Sequence, residues 1–137
     1  MNRRRSGAAV NVYDDKIYVA GGHDGPLIHN SVEVYDIQTN KWTLINEMNT
    51  CRRNASFAIN NGLFYVLGGD DGKIIKKLTK LINKSIGYFF LFIQILIGNN
   101  NLSSVEVFNV QRNVWSFMPS YMTEARTYIS TIVIDNH

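Results

Sequence analysis

The sequence holds a single cysteine, Cys51, among 137 residues. This excludes an internal disulfide framework and fits a reducing, intracellular setting. No secretory leader is expected. Arg3, Arg4 and Arg5 form a basic start, but the "SGAAVNVYDD" that follows is too short and too soon acidic to be a leader's apolar core. The most apolar stretch, "IGYFFLFIQILI", has 12 residues. A helix crossing a bilayer needs about 18–20. No apolar 3.6-residue period runs through the chain outside residues 73–98, which argues against a helical fold. Nor is there a surplus of base-reading signals. The net charge is +3, from 14 basic and 11 acidic residues, but Lys73, Lys76, Lys77, Lys80 and Lys84 share one segment without an acid. Leaving those five out gives nine basic residues against 11 acidic, a balance of −2. The basic character is local, and no nucleic-acid partner is expected.

What the sequence does have is a repeat. "VYDDKIYVAGGHDG" (12–25) returns as "INNGLFYVLGGDDG" (59–72), and "SVEVYDIQTNKW" (31–42) returns as "SVEVFNVQRNVW" (104–115). The first pair is offset by 47 residues and the second by 73. The excess of 26 measures an insertion between Gly69 and Ser104. A third copy opens at Arg126 with "TYISTIVID". Self-similarity at a period of this size points to a repeat architecture.

Each copy reads as four short antiparallel strands. In the first, Gly7 to Val12, Ile17 to Ala20, Val32 to Ile37 and "KWTLIN" are the strands, with turns at "YDDK" and "QTN". Four such strands describe a propeller blade. The glycine pairs Gly21–Gly22 and Gly68–Gly69 end a strand where the backbone must turn left-handed or approach a neighbour closely. Tyr35 and Phe108, with Trp42 and Trp115, are expected to pack between adjacent blades. Glu33 and Glu106 lie between valines and call for a cation; Arg5, Arg52 and Arg126 are the candidate partners.

Glycine pair, strand-three aromatic and strand-four tryptophan together resemble the kelch repeat. "GGHDGPLIHNSVEVYD", "MNTCRRNASFAINNGLFYVLGGDDG" and "LSSVEVFN" resemble the C-terminal propeller blades of the kelch-like family, in particular kelch-like proteins 2 and 3. The likeness covers all but residues 73–98. The expected fold is all-β: an incomplete kelch β-propeller of about two four-stranded antiparallel blades plus the first strand of a third, with an aberrant insertion at 73–98. The units are 1–48, 49–118 and 119–137. The inserted segment has the composition of translated AT-rich noncoding DNA. Gly72–Lys73 and Ile97–Gly98 can be encoded by splice-like sequences, and removing 26 codons restores "GGDDGNNNLSSVEVFN". A retained intron is the favoured reading, over a hydrophobic loop or a membrane anchor.

Parity locates a binding edge. In a four-stranded antiparallel blade, the connections after strands two and four emerge on one side. Residues 23–30, 49–53, 70–101 and 119–126 therefore share it. Positions identical between copies maintain the scaffold; positions that differ can specialise. Arg53 answers to Ser6 and Thr127, Asn54 to Gly7 and Tyr128, and His23 to Asp70. An exposed guanidinium can hold a carboxylate through two hydrogen bonds. The resemblance implies that this edge is a pocket for acidic peptide segments of target proteins, with His23, Arg53 and Asn54 as contacts. It further implies a substrate adaptor for a cullin-3 ubiquitin ligase, recruited through BTB and BACK domains that this stretch does not contain. A cytoskeletal, actin-binding kelch protein is the alternative. A cytoplasmic location is expected, with no membrane partner, no cofactor, no metal site and no catalytic residues. Two blades leave outer faces exposed, so an isolated stable monomer and a complete gene product are both unexpected.

Overall fold

Paired left-handed residues set the first hairpin. Asp14 and Asp15 both have positive φ, 50° and 54°. That is the geometry of the tight turn whose twist suits antiparallel strands. It joins β1 (Ala9–Tyr13) to β2 (Lys16–Ala20). β3 (His23–Asp24) and β4 (Leu27–Ile28) form a small separate hairpin. β5 (Val32–Asp36) then pairs with β2, and β6 (Lys41–Ile45) with β5. The second sheet is built the same way from β7 (Ser56–Asn60), β8 (Leu63–Leu67), β9 (Val105–Asn109) and β10 (Val114–Phe117). This computed structural model describes residues 1–60, 62–73, 101–128 and 130. Both sheets are four-stranded and antiparallel, as expected of blades, and no described residue is helical.

Small departures have local causes. The 23–30 connection, read as a loop, contains the β3–β4 hairpin, because Gly25 takes φ 56° between two chain-reversing arms. Ile37 lies beyond β5 and is 51% exposed. Asn40 and Asn113, both left-handed, close the equivalent turns of the two blades. Most of the 73–98 insertion, and most of the third copy's opening strand, lie outside the described residues.

Cross-strand register explains the core. Strands have a two-residue period, so each ladder row presents one face. In blade 2 the row Ile59, Phe64, Phe108 and Trp115 forms the front face, turned toward blade 1. It meets the rear face of blade 1: Phe64 packs edge-on against Tyr13 and Tyr18, with ring centroids 5.4 and 4.5 Å away. Trp115 donates its indole N–H to the Asn46 carbonyl at 2.8 Å. Asn11 donates to the Phe57 carbonyl at 3.0 Å, holding β1 beside β7. The main hydrophobic cluster runs through this junction.

Candidate functional site

The rim of connections after strands two and four is built on two buried ion pairs. Arg5 reaches Glu33 at 2.9 Å and Arg52 reaches Glu106 at 3.2 Å, with all four side chains at most 1% exposed. The arginine networks match in their carbonyl and serine acceptors. Arg5 also donates to the carbonyls of Gly21 and Ser31 and to the Ser31 hydroxyl. Arg52 donates to the carbonyls of Gly68 and Ser104 and to the Ser104 hydroxyl. Each carboxylate accepts two backbone N–H groups as well, from Asn2 and Arg3 in one blade and Asn49 and Thr50 in the other. Burial pushes the Glu33 pKa up, but these N–H groups and Arg5 outweigh it and hold the carboxyl below its usual range. Burial lowers Arg52, and Glu106 opposes that. The expected arginine–glutamate pairing therefore holds for Arg5 and Arg52. Arg126 differs: its ion pair is the exposed one with Glu124, at 3.1 Å.

The glycine pairs sit where the next repeat crosses. Gly22 donates to the Arg52 carbonyl and Gly69 to the Arg126 carbonyl. Gly21 and Gly22 have φ 65° and 86°. A Cβ on Gly21 would run into the Arg52 carbonyl oxygen. Only glycine meets both demands.

On this scaffold the structure places the three predicted contact residues. Arg53 and Asp70 form a backbone bridge, and the equivalent bridge in blade 1 joins Ser6 to His23. The two variable positions noted in the sequence are thus one cross-strand pair. Arg53 donates Nε and Nη2 to Asp70 Oδ2 at 3.2 and 2.8 Å. Asp70 is 7% exposed at its side chain, Arg53 28%. Asp70 Oδ1 accepts the Gly72 N–H, so its orientation is held from both sides. His23 is half-buried, with Nδ1 3.1 Å from the Gly25 carbonyl. Asn54, next to Arg53 in the chain, is fixed through its backbone. It takes φ 54°, its N–H donates to Gly7, and its carbonyl accepts from Tyr128. Gly7 and Tyr128, its counterparts, are left-handed too, at 59° and 54°. Among the described residues no three His, Cys, Asp or Glu side chains gather as metal ligands would.

His29 flanks the same connection as His23. It is 6% exposed and its Nε2 has no hydrogen-bond partner among the described residues. Its carbonyl accepts the Arg52 N–H, so it lies at the crossing between blades. Burial, then the charges of Arg5 and Arg3, lower its pKa; a bond with the Arg4 backbone and Asp24 oppose them. The aligned residue in blade 2 is Leu102, and that mismatch was the available signal.

Residues 4–49 match the kelch motif. Residues 4–49 are thus a kelch repeat. The second blade repeats the ladder, ion pair and glycine geometry of the first. The chain is 36% identical over 69 residues, half its length, to Kelch-like protein 40 of Xenopus laevis. It is 22% identical over 123 residues, 90% of its length, to Kelch repeat and BTB domain-containing protein 2 of cowpox virus. It is 38% identical over 61 residues, 44% of its length, to an F-box/kelch-repeat protein of Arabidopsis thaliana. It spans 11%, 21% and 15% of these relatives, respectively.

Proposed function

We propose that the rim of these kelch blades binds acidic peptide segments of target proteins, through Arg53 with His23 and Asn54 beside it. The observation carrying this is that the rim's repeated positions are committed to scaffold, whereas the Arg53–Asp70 pair occupies a variable position and leaves the guanidinium partly open. Arg53 Nη1 makes no hydrogen bond among the described residues. A target carboxylate can take that edge as a charge-assisted acceptor. Asp70 competes with it, which gives the test its sign. In anisotropy titrations with a fluorescent Asp/Glu-rich peptide, Arg53→Gln should weaken binding roughly tenfold or more. Asp70→Asn should strengthen it. Equal affinity in all three proteins removes Arg53 from the site.

On this reading the blades belong to a substrate adaptor of the kelch-like protein 2 and 3 type, cytoplasmic and without an activity of its own. The similarity to a kelch repeat and BTB domain-containing protein supports an adaptor that reaches a cullin-3 ligase through a BTB domain. Co-purification of cullin-3 with the full-length protein tests this. Co-sedimentation with actin filaments and no cullin-3 would favour the cytoskeletal alternative.

A further inference from the structure

The proposed contact residues come from two blades, and one side chain joins the two halves. His23 lies in the β3–β4 hairpin of blade 1, where its cross-strand partner is Ile28. Arg53 enters blade 2 and meets Asp70 there. The Ile28 δ-methyl lies where a side chain on Gly72 would begin. Gly72 has φ 70°, so its backbone and its packing both call for glycine. Its N–H donates to Asp70 Oδ1 at 2.6 Å. Contacts therefore run without a gap from His23 through Ile28, Gly72 and Asp70 to Arg53.

Ile28 is firmly placed. The next residue, His29, donates its N–H to the Gly22 carbonyl at 2.9 Å, and its own carbonyl accepts the Arg52 N–H at 3.0 Å. β4 is thus pinned where the blades cross. The turn that Ile28 presses on divides the Asp70 carboxylate. Oδ1 goes to the Gly72 N–H, two residues along, and Oδ2 alone serves Arg53, accepting from Nε and Nη2. If Gly72 drew back, Oδ1 would be released. Asp70 could then turn both oxygens to the guanidinium, the paired arrangement that arginine and carboxylate favour. A second oxygen on Arg53 competes directly with a carboxylate from a target.

On the acidic-peptide reading of Arg53, on which this rests, we propose that Ile28 is a positioning residue for the peptide site. By seating Gly72, it keeps Asp70 to one oxygen on Arg53 and leaves Nη1 to the target. Ile28 acts through Gly72 and Asp70 rather than on the peptide. Its branched Cβ suits a strand, and its longer arm reaches the 70–72 turn. Valine would keep the first property and lose the second. The hairpin of one blade thereby sets how much positive charge the next blade presents.

Two measurements on the full-length protein test this, and the first needs no peptide. Ile28→Val deletes only the δ-methyl, with circular dichroism confirming folded strands. The Gly72 amide should then exchange its hydrogen with solvent about threefold faster or more, while Ile28→Leu, which keeps a δ-methyl, should match the wild type. The second is anisotropy with the fluorescent Asp/Glu-rich peptide. Ile28→Val should weaken binding about three- to tenfold, the scale of coupling within one contact network, and Ile28→Leu should restore it. In an Asp70→Ala background, Ile28→Val should change nothing, because no carboxylate remains to turn. Unchanged Gly72 exchange in Ile28→Val overturns the proposal. So does a loss of binding that persists in the Asp70→Ala background, or undiminished binding in Ile28→Val where Arg53→Gln weakens it. Binding that Arg53→Gln leaves intact sinks the acidic-peptide reading and the role of Ile28 together, and the Arg53 variant alone tells the two failures apart.

Discussion

Blade 1 and blade 2 share one ladder, one ion-pair network and one pair of left-handed glycines, yet their aromatic rows live in different environments. Trp115 is 7% exposed and hydrogen-bonded to Asn46; Trp42 occupies the same register and is half-buried. The difference teaches what a repeat encodes. Local pairing and the buried Arg–Glu network are completed by segments entering the same blade. The front face is completed by a neighbour. The same residue type therefore contributes differently according to position in the array, as expected where stability combines a term for each repeat and a term for each interface.

The strongest way to challenge the equivalence is to remove each buried cation. Arg52→Met should cost about 3–5 kcal/mol, because Glu106 is left buried without its partner. Arg5→Met should cost a similar amount by the same mechanism. Urea unfolding midpoints of the two variants measure this, and a small loss for Arg5 alone would show that the blades differ inside as well as at their faces.

Aromatic truncation sharpens the contrast. Trp115→Ala should cost about 3–5 kcal/mol, as for other buried tryptophans. Trp42→Ala should cost less, about 2–3 kcal/mol, since its ring is only partly covered. Equal losses in thermal or urea unfolding at low protein concentration would erase the distinction between covered and uncovered fronts.

Acid separates the blades through His29, which has leucine as its counterpart. Its pKa is lower in the fold than the ordinary 6.5. The unfolded chain then takes up a proton that the fold does not, so stability falls as pH drops below 6.5 and levels out below the lowered native pKa. His29→Leu should flatten that part of the stability–pH curve. Glu33 acts in a lower window. Its native pKa lies below 4.5, so its stabilisation is present above 4.5 and lost as pH falls through the native value. An unchanged curve in His29→Leu above pH 5 would show that the histidine is solvated.

The smallest expected effect lies at the left-handed triplet. Gly7 adopts its φ freely and Asn54 does so readily, whereas Tyr128 carries the strain of a bulky side chain. Tyr128→Gly should stabilise by up to about 1 kcal/mol, and Asn54→Gly should be near neutral. A loss at Tyr128 would mean that its ring makes contacts that outweigh the backbone gain.

Much of this was legible in advance, for identifiable reasons. Asp14, Asp15 and the glycine pairs mark turns through their own backbone preferences. Repeated Arg, Glu and Trp positions announce equivalent blades because identical packing problems select identical residues. The partners of Arg53 were harder to read. Arg53 and Asp70 are 17 residues apart, and only the bridge between incoming segment and glycine loop brings them together. Asn54 looked like a contact residue because it varies between copies. Its variation also fits a left-handed site that several residues tolerate to different degrees. His29 offered only its mismatch with Leu102 at the aligned position.

By itself, then, the order of residues determined the all-β class, the four-strand period, the turn positions and two of the three candidate buried cations, Arg5 and Arg52. These depend on local backbone preference and on patterns that recur within one copy. Tertiary structure alone decided which carboxylate each arginine meets, that Asp70 holds Arg53, and which tryptophan is covered. Those outcomes depend on groups far apart in the chain, and their energies arise only when a neighbouring surface excludes water.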